Sequence, residues 1–365
     1  MIDPKKIINF FESNGVISFY GVPDSLLKNF TSLLEKKKNH FLSSNEGTAV
    51  ANAIGNYLST KKLSLVYMQN SGLGNAINPL SSIANKNIYS IPIILMIGWR
   101  GQPDLKDEPQ HESMGNITRQ ILDLLKIKHK VINKNTKISQ IKNLLSFAKK
   151  KEVPVALLVK SGVFKKVTKE IFKEKNKIKR IDFLKKLTEL SDSKYKIIST
   201  TGFTSRELHY INASKNKKNK YFYMIGGMGH SSSVASGYLN NKKKEKILCI
   251  DGDGSMLMHM GALPYAANNS KSNYKYILLN NFTHESVGKH KTIIDKIDLN
   301  LFSKSIGFRK YFKIKNYKEI KIKIEKFLSY SGSSFLEVLI KSESISNLTR
   351  PKNFIEIKKN FMKNV

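Results

Sequence analysis

The sequence predicts an α/β protein of two successive units, each a mostly parallel sheet with helices on its faces. Three observations carry that reading. Short apolar runs rich in Val, Ile, Leu and Tyr alternate with amphipathic stretches of helical period along most of the chain. The alternation lapses once, from Ser161 to Arg180, where lysines crowd a stretch with little apolar pattern. Several apolar runs end in Gly, Asn, Ser and Thr clusters that open a helix, the layout in which open α/β sheets carry ligand sites at strand carboxyl ends. Strand–helix alternation in turn implies parallel strands joined by helical crossovers.

In the first half a helix near 4–13 precedes the strand VISFYG, and a second helix follows Pro23. Ser43, Ser44 and Asn45 are capping-type residues and open a helix from Glu46 to about Ser59. Strand LSLVYMQ, a helix from about Gly74 to Ala84, strand IPIILMIG, helices over Ile117–Leu125 and near 137–150, and strand VPVALLVK complete the half. Between them PDLKDEPQHESMG reads as a polar loop of more than ordinary length. The second half repeats the logic with IDFLKKLTELS, YKIISTTG, YFYMIGG, KILCIDGDG, a helix-like run from Met256 to Ala267, YKYILLNN and SSFLEVLIK. This gives an N-terminal domain over 1–165, a linker over 166–180 and a C-terminal domain over 181–365.

Composition narrows the function. With 40% hydrophobic residues the chain has material for a large core. No apolar run approaches the roughly 20 residues of a membrane span, and the start lacks a basic-then-apolar leader layout, so a cytoplasmic protein without a membrane partner is expected. The single cysteine, Cys249, lies inside KILCI and reads as a small core residue. A formal net charge of +35 raises nucleic-acid binding, but the lysines are scattered (KKKNH, NKKNK, NKKKEK, EIKIKIEK) and arginines are few, so no specific nucleic-acid partner is expected.

The chemistry concentrates at strand ends. Gly252-Asp253-Gly254-Ser255 closes one apolar strand and Asn280-Asn281 closes the next. An Asp and an Asn amide at neighbouring strand ends supply two hard oxygen ligands, and the glycines admit a phosphate close to backbone N–H groups, so the pair reads as a diphosphate–Mg²⁺ site. Gly226-Gly227-Met228-Gly229-His230 and Thr200-Thr201-Gly202 also end strands and open helices; the first offers N–H donors at a helix N-terminus. Glu46 at a helix start is either a first-turn carboxylate complementing the helix dipole or a functional group. Tyr67–Asn75 is either a plain strand-to-helix turn or part of a site. After Gly98-Trp99, Arg100 offers a cation for an anionic substrate and His111 a group that moves protons near neutral pH, with ordinary loop polarity as the other reading of both.

Taken in order, SNEGTAVA, VYMQNSGLGNAINPL, IPIILMIGWRG, KDEPQH, STTGFTSREL, IGGMGHSSSVASG, GDGS and NNFTHESVG resemble the phosphonopyruvate decarboxylases, thiamine-diphosphate (ThDP) dependent lyases close to the sulfopyruvate decarboxylases. The resemblance implies a pyrimidine-binding and a diphosphate-binding domain of the ThDP-enzyme type, doubly wound, with no central third domain. It implies ThDP and Mg²⁺ as cofactors, the metal held by side chains of Asp253 and Asn281 and by the main-chain oxygen of Thr283. Glu46 then hydrogen-bonds the pyrimidine ring and activates the cofactor, with His111 and Arg100 as further catalytic residues. Cofactor contacts fall to Asn70, Ser71 and Gly72 in the first domain. In the second they fall to Thr201, Gly202, Gly227, Met228, Gly229 and His230, and to Gly252, Asp253, Gly254, Ser255 and Asn281. The implied reaction converts 3-phosphonopyruvate to phosphonoacetaldehyde and CO₂ in phosphonate biosynthesis, with sulfopyruvate or another 2-oxo acid as the alternative, and other ThDP chemistry such as carboligation behind them. The small anionic 2-oxo acid needs a cation, for which Arg100 and His111 lead Arg206, Lys289 and His290. The implied active unit is a homodimer or higher homo-oligomer with sites shared between subunits.

Overall fold

The structure, a computed structural model, describes residues 1–168, 177–191, 195–213, 220–242, 244–269, 274–346 and 348–363. The chain divides into two compact units, Met1–Ile171 and Phe172–Val365. Of the linker expected at 166–180, residues 169–176 lie outside the described residues. Its last part is not linker-like: Ile178 bridges Ile340 in parallel, and Arg180 is buried at the start of the helix Arg180–Leu190.

In the N-terminal unit six strands, β1 (Val16–Gly21), β2 (His40–Leu42), β3 (Leu63–Gln69), β4 (Ile93–Gly98), β5 (Lys128–Ile132) and β6 (Val155–Val159), form one sheet in the order β2-β1-β3-β4-β6-β5. Every pairing in it is parallel. The period of two sorts β3: Leu65 and Tyr67 enter one core with Phe19, Phe30 and Ile94, whereas Val66 and Met68 enter the other with Ala49, Val50 and Ala53. Both faces are thus covered, which is why β4 and β6 read as unbroken apolar runs. The alanines of the helix Glu46–Thr60 let it lie close to the sheet. The chain runs outward from β1 to β2, then returns to β3 and β4 on the opposite side, so the topological switch lies between β1 and β3.

The C-terminal unit contains β7 (Tyr195–Ser199), β8 (Tyr221–Tyr223), β9 (Lys246–Gly252), β10 (Tyr274–Asn280), the two-residue β11 (Thr283–His284) and β12 (His290–Lys291), β13 (Lys310–Ile314) and β14 (Ser334–Leu339). Six of these make a second parallel sheet ordered β13-β14-β10-β9-β7-β8, with its switch between β7 and β9. The short strands β11 and β12 pair antiparallel as a separate hairpin just beyond β10.

Five local readings need correction. Edge strands β2, β5 and β13 escape the sequence pattern because they are short or carry lysine and little buried surface, as edges do. The polar loop after Trp99 ends early: a helix spans Pro109–Leu124, with proline in its first turn where no N–H is missed, so His111 is helical. The run from Met256 to Ala267 is two helices, Asp253–Met258 and Ala262–Asn269, parted at Gly261. EIKIKIEK is not merely a charged surface, because the helix Ile320–Ser329 buries Ile320, Ile324 and Phe327. Lys220 of NKKNK is likewise buried, its ammonium donating to the Ser191 carbonyl at 2.7 Å. Among the described residues no helix is long and apolar enough to cross a membrane.

The helical period of IKIKI can be checked directly, since a strand would place all three isoleucines on one face. Ile324 is fully buried and Ile322 is 55% exposed. Ile324→Ala is therefore expected to lower the unfolding free energy by about 2–5 kcal/mol, and Ile322→Ala to change it by no more than about 0.5 kcal/mol. Chemical denaturation of both variants decides it, and equal losses would refute the helical phase.

Candidate active site

At the switch point of the N-terminal sheet two carboxyl groups are buried. Glu46 opens its helix behind Asn45, whose side chain accepts from the Thr48 N–H at 2.9 Å. The Glu46 side chain turns inward and is 4% exposed. Burial pushes its carboxyl pKa up, against a 2.8 Å hydrogen bond donated by the Asn75 amide. Gly72 is pressed against it: a Cβ there would stand 2.0 Å from Glu46 Oε1, so only glycine lets the β3 turn close over the carboxyl. Nothing about Glu46 is the solvated first-turn carboxylate that serves a helix dipole.

Asp24, which the sequence reading passed over, follows β1 by three residues and is completely buried. Burial lifts its carboxyl to about 6, against N–H bonds from Leu27 and Leu26 and the charge of Arg100. Its Oδ1 has no hydrogen-bond partner among the described residues. A Cβ at Gly98 would come within 2.1 Å of Oδ2, so β4 also yields room to a carboxyl.

Arg100 is not an open cation. Its Nε donates to Asp107 Oδ2 at 2.7 Å, Nη2 to Asp107 Oδ1 at 2.5 Å and Nη1 to the Ser25 hydroxyl at 3.0 Å. Burial would raise Asp107, but Arg100 and the N–H groups of Glu108 and Gly101 hold it well below the usual carboxylate range. This clasp closes the loop that leads to His111. Asn70 pins the same loop, its amide donating to the Arg100 carbonyl at 2.8 Å and to Thr118 Oγ1 at 3.0 Å while accepting from the Arg100 N–H at 3.1 Å. Asn70 is thus fully occupied inside the protein, Ser71 accepts from Gln69 at 2.7 Å, and His111 is half-buried in the first turn of its helix.

In the C-terminal unit one hydroxyl gathers three loops. Ser255 Oγ lies 2.9 Å from Thr200 Oγ1 and accepts from the Gly229 N–H at 2.9 Å, which joins the segments after β9, β7 and β8. Gly202, Gly227 and Gly229 have φ of 86°, 62° and 90°, the left-handed region that favours glycine. Thr201 and Met228 are half-buried in these turns; His230 is exposed, its ring stacked on His259 with centroids 4.3 Å apart. A Cβ at Gly252 would meet nothing within 4 Å, whereas one at Gly254 would strike His284 at 2.6 Å.

Asp253 is buried at the head of its helix, and burial lifts its carboxyl to about 7 despite a 2.7 Å bond from Thr292 Oγ1 to Oδ2. The two asparagines differ. Asn280 is internal, donating to Glu337 at 2.8 Å and accepting from the Phe282 N–H at 3.1 Å, and so holds the turn in which Phe282 takes a φ of 60°. Asn281 is half-buried, with Oδ1 accepting from the Thr283 N–H at 3.0 Å. The hairpin links the set, because the Thr292 N–H donates to the Phe282 carbonyl at 2.9 Å while its hydroxyl holds Asp253. Asp253, Asn281 and the Thr283 carbonyl each offer an oxygen of the kind a hard cation such as Mg²⁺ takes. The other candidate cations are engaged: Arg206 lies over the Phe203 ring, Lys289 donates to the Ser342 carbonyl at 2.5 Å, and His290 is buried in the hairpin.

Two family profiles cover both units. One, for the thiamine pyrophosphate enzyme N-terminal TPP binding domain, matches residues 5–123; the other, for the C-terminal TPP binding domain, matches residues 201–338. With a parallel sheet behind each match, the chain belongs to the thiamine pyrophosphate (ThDP) enzymes, and no third domain is evident among the described residues. Within them it is a ThDP-dependent decarboxylase, a carboxy-lyase related to the phosphonopyruvate and sulfopyruvate decarboxylases. It is 28% identical to a phosphonopyruvate decarboxylase of Streptomyces viridochromogenes, over 96% of this chain and 92% of that one. A second, from Streptomyces hygroscopicus, is 26% identical over 96% and 91%. A sulfopyruvate decarboxylase of Methanosarcina acetivorans is 25% identical over 99% and 97%.

The raised pKa of Asp24 makes a pH-dependent claim. The folded protein holds this proton more tightly than the unfolded chain, so Asp24 stabilises fully below about pH 4 and its contribution drains away as pH rises through about 6. At about 1.4 kcal/mol per unit, the wild type is expected to lose roughly 2–4 kcal/mol more than Asp24→Asn between about pH 4 and pH 7. Urea unfolding across that range measures it, and parallel curves would place Asp24 in water.

Proposed function

We propose that this chain catalyses the ThDP- and Mg²⁺-dependent decarboxylation of 3-phosphonopyruvate to phosphonoacetaldehyde and CO₂, a step of phosphonate biosynthesis. The observation that carries the decarboxylase chemistry is the buried Glu46 carboxyl, kept above its ordinary pKa and overlain by a glycine. End-to-end similarity to two phosphonopyruvate decarboxylases supports the substrate. In the reaction the bond between the carboxylate carbon and C2 breaks, its electron pair stays on C2, and a proton takes the place of CO₂. ThDP, when bound, supplies the electron sink for that pair.

The protein's part is positional and protonic. Glu46 would share a proton with the pyrimidine ring of a bound cofactor, and a carboxyl lifted by burial has the affinity such sharing needs. Asn75 fixes the face it presents. Asp253, Asn281 and the Thr283 carbonyl would hold Mg²⁺, whose charge would offset that of the diphosphate. N–H groups of the turns at Gly202 and at Gly227–His230 receive the diphosphate oxygens. Asp24 and His111 are further groups of the N-terminal unit able to carry a proton, and the Arg100–Asp107 clasp holds the loop that leads to the helix of His111. The active unit is a homo-oligomer, at least a dimer, in which copies share their sites.

Sulfopyruvate is the second reading, favoured by a sulfopyruvate decarboxylase that matches 99% of the chain. The two substrates differ in charge: near neutral pH a phosphonate approaches a dianion and a sulfonate is a monoanion, and a closed site holds the extra charge only with matched donors. With ThDP and Mg²⁺ present, kcat/KM is expected to fall in the order phosphonopyruvate, sulfopyruvate, pyruvate, read by trapping the aldehyde formed. Preference for sulfopyruvate would transfer the assignment to the second reading; no aldehyde from any 2-oxo acid would end both.

A further inference from the structure

A metal-binding asparagine has a right and a wrong way round. Its carbonyl oxygen is a ligand for a hard cation, and its NH₂ is not. Three bonds set the direction of the Asn281 amide. The Thr283 N–H and hydroxyl donate to Oδ1 at 3.0 and 3.3 Å, and Nδ2 donates to Glu285 Oε2 at 3.0 Å. The same Glu285 oxygen accepts from Arg180, whose guanidinium also donates to Glu207 at 3.2 Å. Arg180, Glu207 and Glu285 are nearly excluded from water, with side-chain exposures of 4%, 1% and 8%. A buried carboxylate of this kind persists only when its lone pairs are met, so its bond to the amide is charge-assisted and directional.

From this geometry we propose that Glu285 is a positioning residue for the cofactor metal: it orients the Asn281 amide so that Oδ1 faces the cation, and Arg180, on the helix Arg180–Leu190 and paired with Glu207 on the helix Phe203–Ala213, holds Glu285 in place. The inference rests on the reading of Asn281 as a metal ligand. It explains why an arginine at the foot of the expected linker is buried, and why the hairpin that follows β10 is tied to two helices distant in sequence. Partners that orient metal ligands commonly govern affinity as strongly as they govern geometry.

The test uses the full chain with ThDP and Mn²⁺ as the probe, its free fraction followed by electron paramagnetic resonance. Asn281→Ala is expected to abolish ThDP-dependent Mn²⁺ binding; unchanged binding would overturn the metal-site reading itself. Glu285→Gln is expected to weaken Mn²⁺ binding roughly 10–100-fold, because the new amide can turn its NH₂ toward Asn281 and favour the inverted direction. The double variant, Asn281→Asp with Glu285→Gln, separates orientation from general damage. A carboxylate has no wrong way round and accepts from the glutamine, so this pair is expected to bind Mn²⁺ more tightly than Glu285→Gln alone. The gain is compared with that of Asn281→Asp alone, since a carboxylate ligand strengthens Mn²⁺ binding in any background, and a merely structural Glu285 would give the same gain in both. If Asn281→Ala abolishes binding but Glu285→Gln binds as the wild type does, or if Asn281→Asp gains no more beside Glu285→Gln than it gains alone, the positioning role is overturned and the metal site stands.

Discussion

A carboxyl group taken out of water must keep its proton or meet a cation, and this protein buries several at the carboxyl ends of two parallel sheets. The two units resolve the problem differently. In the N-terminal unit Asp24 and Glu46 are met by N–H and amide donors too few to hold full charge, so burial dominates and both retain protons to higher pH. In the C-terminal unit burial lifts Asp253 as well, to about 7, so that a cation bound there would be what ionises it, while Glu207 and Glu285 share Arg180. One arrangement suits proton exchange with a ring nitrogen. The other suits a cation carrying a diphosphate.

Backbone geometry makes such burial possible. Parallel strands put all their carboxyl ends on one edge, and where the strand order reverses, the loops on either side diverge and leave a crevice. Glu46 and Asp24 reach the edge in one sheet, and Ser255 draws the β7, β8 and β9 loops to it in the other. Glycine is required where these groups approach backbone. At Gly72 and Gly98 a single methyl would overlap a carboxyl oxygen, at 2.0 and 2.1 Å, so the two positions serve the site rather than the turn.

What the sequence made legible was whatever is local. GDGS and NN each follow an apolar run, and Glu46 follows its own caps, so spacing and residue type were enough to find them. The partners that give these residues meaning are distant: Arg180 and Glu285 are 105 residues apart, and no periodic signal couples them. Asp24 was missed although it follows a strand end, because Val-Pro-Asp reads as an ordinary turn. For Arg100 two readings stayed open, and the counter-charge that occupies it, Asp107, lies seven residues on in the same polar loop. The helix Ile320–Ser329 hid because isoleucine alternates with lysine there, a pattern of period two laid on a helix. Burial of polar groups, in short, is a tertiary property that no window of sequence displays.

The account turns on Glu46 as the proton partner of the cofactor, and the most direct measurement is exchange of the C2 proton of protein-bound ThDP in deuterated water, followed by NMR. Glu46→Gln keeps the shape of the side chain and its bond from Asn75 but has no proton to share. The account predicts that this variant still binds ThDP with Mg²⁺ while C2 exchange slows by orders of magnitude. Exchange at the wild-type rate in a variant that binds the cofactor normally would contradict it.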